Sequence, residues 1–150
     1  MTLRLKFSAD ACELSGMRRE AREFLIDAGI PEMEAELMVL ALDEACTNII
    51  RYAYGGATQR AIRLHILRLR SSIRCTLRDY GTSCDPTKIR SRDLTDFRPG
   101  GLGVRILHSA FDHVLYEPKP RGTQLTLLKT LGRVSPSHAA SAAQAGPSSH

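Results

Sequence analysis

The chain has 150 residues, 43% of them hydrophobic and 25% charged, and its formal net charge is +5. This length accommodates one domain with a single core and is too short for two, and the composition is ordinary for a soluble globular protein. Because no uncharged apolar run is long enough to span a bilayer and no signal peptide is visible, we expect a cytoplasmic protein without membrane contact.

The cysteines and the positive charge restrict the kinds of site that the chain can hold. Cys12, Cys46, Cys75 and Cys84 show no CxxC pairing, so we expect reduced thiols rather than disulfides or a zinc site. The arginines are dispersed and only 5% of the residues are aromatic, which makes direct nucleic-acid binding a weak hypothesis. The same charge suits an acidic protein partner or a polyphosphate ligand.

A strand and a helix are predicted at the start of the chain. Apolar and charged residues alternate over residues 3–7, which is typical of an amphipathic strand. Residues 11–28 have helical periodicity, and Asp10 with Glu13 forms a capping-box pattern in front of them. Pro31 then suits the first turn of a second helix.

The second helix carries polar residues on one stripe of an otherwise apolar sequence, ELMVLALDEACTNIIRYAY from Glu36 to Tyr54. At about 100° per residue, Glu44 and Asn48 lie within roughly 40° of each other, on the stripe of Leu37 and Ala41. An unpaired carboxylate in an apolar interior is costly, so the pair indicates a water, a partner side chain or a bound ion. The alternative is a core helix in which both side chains satisfy neighbouring backbone groups.

A β-hairpin is predicted next. Its first strand covers residues 62–69, and a bulge or an edge position at Leu67 would explain two consecutive apolar residues. Its second strand ends at Asp79, directly before the sequence YGTSCDP, where glycine and proline stop regular structure. Asp79 is therefore expected at a strand exit.

A long loop and a glycine-rich helix start follow. Residues 82–99 lack periodicity, and we expect a mobile loop that closes over a ligand. Residues 100–103, GGLG, open a helix whose backbone N–H groups would be able to approach a phosphate. A plain glycine-rich turn is the alternative, because the full GxGxxG pattern and its preceding strand are missing.

Two final strands, centred on Leu115 and Leu127, complete the predicted fold. The order of elements implies an α+β protein, a two-layer sandwich in which a mixed β-sheet is covered on one face by helices. Residues 1–131 form this domain. Residues 132–150 are rich in Ser, Ala, Pro and Gly, and we expect a disordered tail there.

Four separated motifs agree with one another: E-x-x-x-N in EACTN, the D-x-G of DYGTSCDP, GGLG before a helix, and the late Gly122-Thr123. Together they resemble the Bergerat-type, histidine-kinase-like ATPases. The continuation NIIRYAY, the DP after the aspartate box, the short lid and the single-domain length most resemble the anti-sigma factor serine/threonine-protein kinases. The resemblance covers roughly Leu3 to Leu131, and it favours a functional role for Glu44 and Asn48.

The resemblance implies a role for each matching residue. Glu44 would be the general base that takes a proton from a serine hydroxyl or from water. Asn48 would hold Mg²⁺ against the ATP phosphates through its amide oxygen. Asp79 would accept a hydrogen bond from the adenine amino group, Gly81 would let backbone approach the ring, and Thr123 would support Asp79 directly or through water.

Further residues would contact the phosphates. Gly101 and Gly103 would face them, and Arg105 would reach them, although a solvated helix position is an equally good interpretation of Arg105. Any of the basic residues of the lid would also be able to contact the γ-phosphate. Cys84 departs from the family pattern, which often has Phe there, and this would change the packing of the lid.

The activity implied by the resemblance is that of an ATP- and Mg²⁺-dependent serine kinase. It would phosphorylate an anti-anti-sigma protein and sequester a sigma factor, as a cytoplasmic homodimer whose first helix and sheet supply the docking surfaces. One alternative is a non-catalytic ATP-binding regulatory module that acts by protein contact. The catalytic domain of a histidine kinase is disfavoured, because the chain has no room for a phospho-accepting helical hairpin, and direct DNA binding ranks last.

Overall fold

A computed structural model of the protein describes residues 1–56, 59–81 and 102–132, with the backbone alone for 102–104. In chain order the elements are β1 (Thr2–Ser8), α1 (Ala11–Asp27), α2 (Glu32–Asn48), a π-helical turn (Ile49–Ala53), β2 (Ala61–Arg68), β3 (Ser72–Asp79), α3 (Leu102–Ala110), β4 (His113–Pro118) and β5 (Thr123–Thr130). The predicted lid, Cys84, Gly101 and residues 133–150 of the predicted tail lie outside the described residues.

The five strands form one sheet in the order β1-β2-β3-β5-β4. The expected α+β sandwich is confirmed. Each neighbouring pair of strands is antiparallel, so the sheet is not the mixed sheet that we expected. The reason is that β4, which follows the helical connection, runs parallel to β3 but is separated from it by β5.

The strand register places the apolar residues of the sheet on one face. Ile66 of β2 pairs with Leu3 of β1 and Cys75 of β3, and Cys75 pairs with Leu127 of β5. Ile66, Cys75 and Leu127 are fully buried in the same core as the apolar sides of the helices. The alternation in each strand is therefore what holds the helical layer against this face.

Leu67 corrects one local prediction. It pairs regularly with Thr2 on one side and Arg74 on the other, so β2 has neither a bulge at this position nor an edge location. Leu67 instead lies half-buried on the face of the sheet opposite to that of Ile66.

Side chains set the starts of both long helices. Asp10 caps α1 by accepting a hydrogen bond from the Glu13 N–H at 2.9 Å. The Glu13 carboxylate accepts from the Ser8 N–H, so the capping box closes two residues before its usual position. Pro31 is the N-cap of α2 rather than a residue of its first turn.

The two long helices are joined by ion pairs along one side. Arg18 contacts Asp43 at 2.9 Å, and Arg22 contacts both Glu32, at 2.9 Å, and Glu36. Each of these half-exposed pairs contributes at most about 1 kcal/mol. Their main consequence is that α2 has a polar border on the side that faces α1.

Three of the cysteines lie within the described ranges as free thiols. Cys46 and Cys75 are buried in the core, where burial raises the pKa of each thiol, and Cys12 is exposed. In the described ranges, no helix combines the length and the apolar character needed to cross a bilayer.

Candidate functional site

The second long helix changes its pitch at the predicted motif. The α-helix ends at Asn48, and the chain continues as a π-helical turn in which the Tyr54 N–H donates to the Ile49 carbonyl at 3.0 Å. Gly55 and Gly56 then end the helix with φ values of +56° and +86°. The sequence predicted one continuous helix to Tyr54, and short π segments of this kind are frequent at functional sites.

Asn48 is buried and incompletely bonded. Its side chain is 5% exposed, and its Nδ2 atom has no hydrogen-bond partner in the part of the chain that the structure describes. A buried amide without a partner costs about 1–3 kcal/mol. The unpaired Nδ2 donor suits an acceptor such as a phosphate oxygen, and the amide oxygen Oδ1 is the atom that is able to ligate a metal ion.

Glu44 lies one helical turn before Asn48 and is half-buried. The expectation that its carboxylate is enclosed by an apolar interior is therefore wrong. The stripe that it shares with Asn48 turns toward solvent at Leu37 and Glu44, because α2 packs through the neighbouring stripe of Met38, Leu42 and Ala45. Among the described residues the Glu44 carboxylate has no ion-pair partner, and it is open to a second molecule.

Asp79 is the last residue of β3, as predicted, and its side chain is 2% exposed. The Gly81 N–H donates to its Oδ1 at 3.0 Å, and the Thr123 hydroxyl donates to its Oδ2 at 2.5 Å. Burial and then the charge of Asp79 raise the pKa of the Tyr116 hydroxyl. Both carboxylate oxygens thus accept a hydrogen bond within the protein, and each has a second lone pair that is able to accept another.

Two glycines permit close backbone contacts around this carboxylate. A Cβ at Gly122, whose φ is +79°, would lie 2.2 Å from the Asp79 carbonyl oxygen. A Cβ at Gly81 would lie 2.7 Å from the Ala53 carbonyl oxygen. Real Cβ contacts are never this short, so both positions require glycine. Gly122 was quoted in the sequence motif, but it was not predicted to be a site residue.

Two further residues that the prediction missed hold the segment after Asp79. The Tyr54 hydroxyl accepts from the Tyr80 N–H at 2.8 Å and donates to the Ala61 carbonyl at 2.5 Å. Arg60 donates to the Tyr80 carbonyl at 2.9 Å and stacks on the Tyr54 ring, with its guanidinium carbon 4.9 Å from the ring centroid. Burial raises the pKa of Tyr54. The only sequence signal for this arrangement was the motif NIIRYAY.

These contacts join the two halves of the candidate site. The π turn that follows Asn48 touches the segment that follows Asp79, through Ala53 against Gly81 and Tyr54 against Tyr80. The structure thus brings together the predicted residues of the β3 exit and of the β5 start, and it connects them to the turn that follows Asn48.

The glycine-rich helix start is less informative. Gly103 lies within α3, and Arg105 is exposed on the same helix. Neither residue has a described contact with Asn48 or Asp79. Their predicted contacts with phosphate stay predictions, as does that of Gly101.

An open groove of about 480 Å³ lies beside the end of α2. Its lining consists of Thr47, Ile50, Arg51, Gly55 and Gly56. Arg51 is exposed there and supplies a guanidinium one turn after Thr47. The site therefore combines a buried acceptor at Asp79, an incompletely bonded amide at Asn48, and an accessible carboxylate at Glu44.

Residues 7–129 match the family described as the histidine kinase-like ATPase domain. The serine/threonine-protein kinase BtrW of Bordetella bronchiseptica is 31% identical over 94 residues, which is 60% of this chain and 66% of the relative. The serine-protein kinase RsbW of Halalkalibacterium halodurans is 29% identical over 108 residues, 67% of this chain and 65% of the relative. The chain thus spans slightly less than two thirds of the length of each.

Solved structures share the fold at low sequence identity. The RsbU and RsbW domains of a Mycobacterium tuberculosis protein align with a TM-score of 0.62 and 18% identity, over 89% of this chain and 33% of that one. The SiaB–SiaC complex from Pseudomonas aeruginosa aligns with a TM-score of 0.64 and 13% identity, over 84% and 88%. The histidine kinase domain of Erythrobacter litoralis EL346 aligns with a TM-score of 0.56 and 16% identity, over 80% and 60%.

Proposed function

The chain belongs to the histidine kinase-like ATPase domain family, and from this premise we propose that it is an ATP- and Mg²⁺-dependent serine kinase. Its substrate is an anti-anti-sigma protein, and in its other state the kinase sequesters a sigma factor. The observation that carries the nucleotide part of the proposal is the buried Asp79 carboxylate, which accepts hydrogen bonds from Gly81 and Thr123 and against which only glycine fits at position 122.

Asp79 recognises the adenine base. Its buried carboxylate keeps free lone pairs after bonding to Gly81 and Thr123, and these accept a hydrogen bond from the exocyclic amino group. A bond to a charged acceptor is worth about 1.5–3 kcal/mol, which is enough to select adenine over a base with a carbonyl at that position. Gly81 holds this carboxylate through its N–H, and its missing Cβ lets the Ala53 backbone pack against it.

Asn48 acts at the phosphates. Its amide oxygen Oδ1 would ligate Mg²⁺, which prefers hard oxygen ligands and keeps several waters. Its Nδ2, which has no hydrogen-bond partner among the described residues, would donate to a phosphate oxygen. When bound, this ion neutralises charge on the β- and γ-phosphates. Gly101, Gly103 and Arg105 are proposed to contact the same phosphates, through backbone N–H groups and a guanidinium.

Glu44 is the proposed general base. Its carboxylate takes the proton of the substrate serine hydroxyl while the serine oxygen bonds to the γ-phosphorus of ATP. The bond from that phosphorus to its bridging oxygen breaks, and ADP leaves. Because Glu44 is half-buried rather than enclosed, the hydroxyl of a second protein is able to reach it.

The proposed protein partners are inferred from relatives of this chain. Two curated relatives are named as serine or serine/threonine kinases, and one structural neighbour was solved as a SiaB–SiaC complex. The continuation NIIRYAY and the DP after the aspartate box resemble the anti-sigma branch of these kinases. We further propose that the sequestered partner is a sigma factor and that the kinase works as a homodimer.

The test is phosphotransfer from labelled ATP to the anti-anti-sigma protein of the same organism, in the presence of Mg²⁺. We expect phosphoserine with the parent, and a rate lower by about 10²–10⁴-fold with Glu44→Gln, since this is the usual contribution of a general base. ATP affinity, measured by calorimetry, should stay within about twofold of the parent, because Glu44 does not hold the nucleotide.

Other outcomes would replace parts of the proposal. If Glu44→Gln transfers phosphate as fast as the parent, another group is the base. A parent that binds ATP and the anti-anti-sigma protein without forming phosphoserine would be the non-catalytic regulatory module. If the folded parent does not bind ATP, the proposal of a nucleotide site is wrong.

A further inference from the structure

Helix α2 exposes a row of apolar side chains that ends at the proposed base. Met33 is 86% exposed and Leu40 is 49% exposed, and Leu37 between them is half-buried. At about 100° per residue, all three lie within about 40° of Glu44 around the helix axis. With a rise of about 1.5 Å per residue, the row from Met33 to Glu44 is about 17 Å long. We call Met33, Leu37 and Leu40 the apolar ridge.

A polar border runs along the ridge on the side that faces α1. It consists of two ion-paired sets, Arg22 with Glu36 and Glu32, and Arg18 with Asp43. Because these charges are already paired, they do not require a further partner. An apolar centre with a satisfied polar rim is the usual anatomy of a protein–protein contact.

The groove at the end of α2 continues the ridge beyond Glu44. Two of its lining residues, Thr47 and Arg51, lie within about 60° of Glu44 around the helix axis. The carboxylate therefore stands between an apolar surface on one side along the helix and an open groove of about 480 Å³ on the other.

We propose that the apolar ridge and this groove form the docking surface for the protein substrate of the kinase. The substrate covers the ridge with an apolar patch of its own, and the loop that carries its serine enters the groove beside Glu44. The inference rests on the proposed function, since it needs Glu44 to be the base. It adds the surface that presents the serine.

The position of Glu44 decides between possible occupants. A second copy of the chain packed on the ridge would extend over the carboxylate and block the hydroxyl that it must deprotonate. A substrate protein covers the same surface only while its own serine is in place. Exposed single Met or Leu residues are common on protein surfaces. Two of them, Met33 and Leu40, lie in line with the proposed catalytic carboxylate, with Leu37 half-buried between them, and an incoming substrate explains this alignment.

The experiment compares the double variant Met33→Glu/Leu40→Glu with the parent. Glu is a good helix former, and both positions are exposed, so α2 should keep its structure. We expect KM for the anti-anti-sigma protein, and the calorimetric Kd for it with Mg²⁺ and ADP present, to rise about tenfold or more, as at other apolar contact centres. The Kd for ATP should stay within about twofold of the parent. The kcat at saturating substrate should do so for the single variant Met33→Glu, whose new charge lies about three turns from Glu44.

The matched control is Leu115→Glu on β4. Leu115 is 55% exposed, close to the 49% of Leu40, but it lies on the sheet rather than on α2. Its loss of exposed apolar surface matches that of the single variant Leu40→Glu, which is measured beside the double variant. We expect Leu115→Glu to leave both KM and Kd for the anti-anti-sigma protein unchanged.

Equal KM and Kd values for the double variant and the parent would overturn the proposal. An equal rise of KM and Kd in Leu115→Glu would also overturn it, because the added negative charge would then weaken binding wherever it is placed. If the double variant turns a dimeric parent into a monomer with KM unchanged, the ridge is a contact between copies instead. If the parent makes no phosphoserine, the proposed function fails, and the Kd comparison still tests the ridge.

Discussion

The two ends of the proposed nucleotide site differ in how complete they are. The adenine end consists of Asp79, Gly81, Gly122 and Thr123. Both oxygens of its carboxylate accept hydrogen bonds, and its two glycines pack directly against neighbouring backbone atoms. At the phosphate end, the buried Nδ2 atom of Asn48 has no hydrogen-bond partner among the described residues. We infer that the adenine end is preorganised and that the phosphate end is completed by its ligand.

This difference has a functional consequence. Affinity gained from a preorganised contact is not reduced by the entropy of ordering that contact. The adenine end should therefore supply most of the affinity for the nucleotide. The phosphate end, where we propose that phosphotransfer occurs, would then respond to Mg²⁺ and to the substrate protein.

The largest expected effect tests the packing of the adenine end. Gly122→Ala would place a Cβ 2.2 Å from the backbone carbonyl oxygen of Asp79, at a φ of +79°. Because a backbone atom cannot move aside as a flexible side chain can, the free energy of unfolding should fall by about 3 kcal/mol or more. Urea denaturation measures this loss, and calorimetry should show ATP affinity falling with it.

Gly29→Ala is the control for backbone conformation alone. Its φ is +95°, but no atom lies within 4 Å of the added Cβ, so we expect a loss of only about 1 kcal/mol and unchanged ATP affinity. If the two alanine variants lose equal stability, the close contact at Gly122 has no energetic role and the adenine end is less rigid than we infer.

The adenine end was also the part that the sequence predicted better. Strand alternation leads directly to Asp79 at the end of β3, and the resemblance identified Thr123 as its support, which the structure places in direct contact. The contact of Gly122 with Asp79 was not predictable, because it depends on the pairing of β3 with β5. Partners that are distant in sequence leave no local pattern.

The phosphate end was predicted less well for physical reasons. Helical spacing placed Glu44 and Asn48 on one stripe, but spacing alone does not tell which part of that stripe faces solvent. It also does not show that the helix widens after Asn48, or that Tyr54 then reaches the Tyr80 backbone. Both features depend on tertiary packing rather than on periodicity. The antiparallel sheet was missed for the same reason.

A smaller effect is expected from removing the charge at the adenine end. Asp79→Asn keeps the size of the side chain and an oxygen for the Gly81 N–H, while the Thr123 hydroxyl is able to rotate and accept from the new amide. The fold should therefore persist. ATP affinity should fall by about 10- to 100-fold, equivalent to about 1.5–3 kcal/mol, and the preference for ATP over GTP should shrink.

Asp112→Asn provides the matched control for this substitution. Asp112 also accepts a backbone hydrogen bond, from the Thr130 N–H at 2.6 Å, but it lies outside the candidate site. Calorimetric titration of both variants with ATP and GTP separates a general loss of charge from a loss of recognition. Equal ATP affinities for the two variants would mean that Asp79 does not contact the base.

The smallest expected change in stability lies at the phosphate end and is the most direct test of the comparison. Asn48→Ala removes a buried Nδ2 donor that has no hydrogen-bond partner among the described residues, so the lost packing is offset by the removal of an unsatisfied group. The free energy of unfolding without nucleotide should change by no more than about 1 kcal/mol. Leu42→Ala, at a fully buried position of the same helix, should cost about 2–5 kcal/mol. Calorimetry should show that Asn48→Ala binds ATP equally with and without Mg²⁺. If Asn48→Ala instead loses as much stability as Leu42→Ala and keeps its Mg²⁺ dependence, the amide is structural, and the phosphate end is as complete as the adenine end.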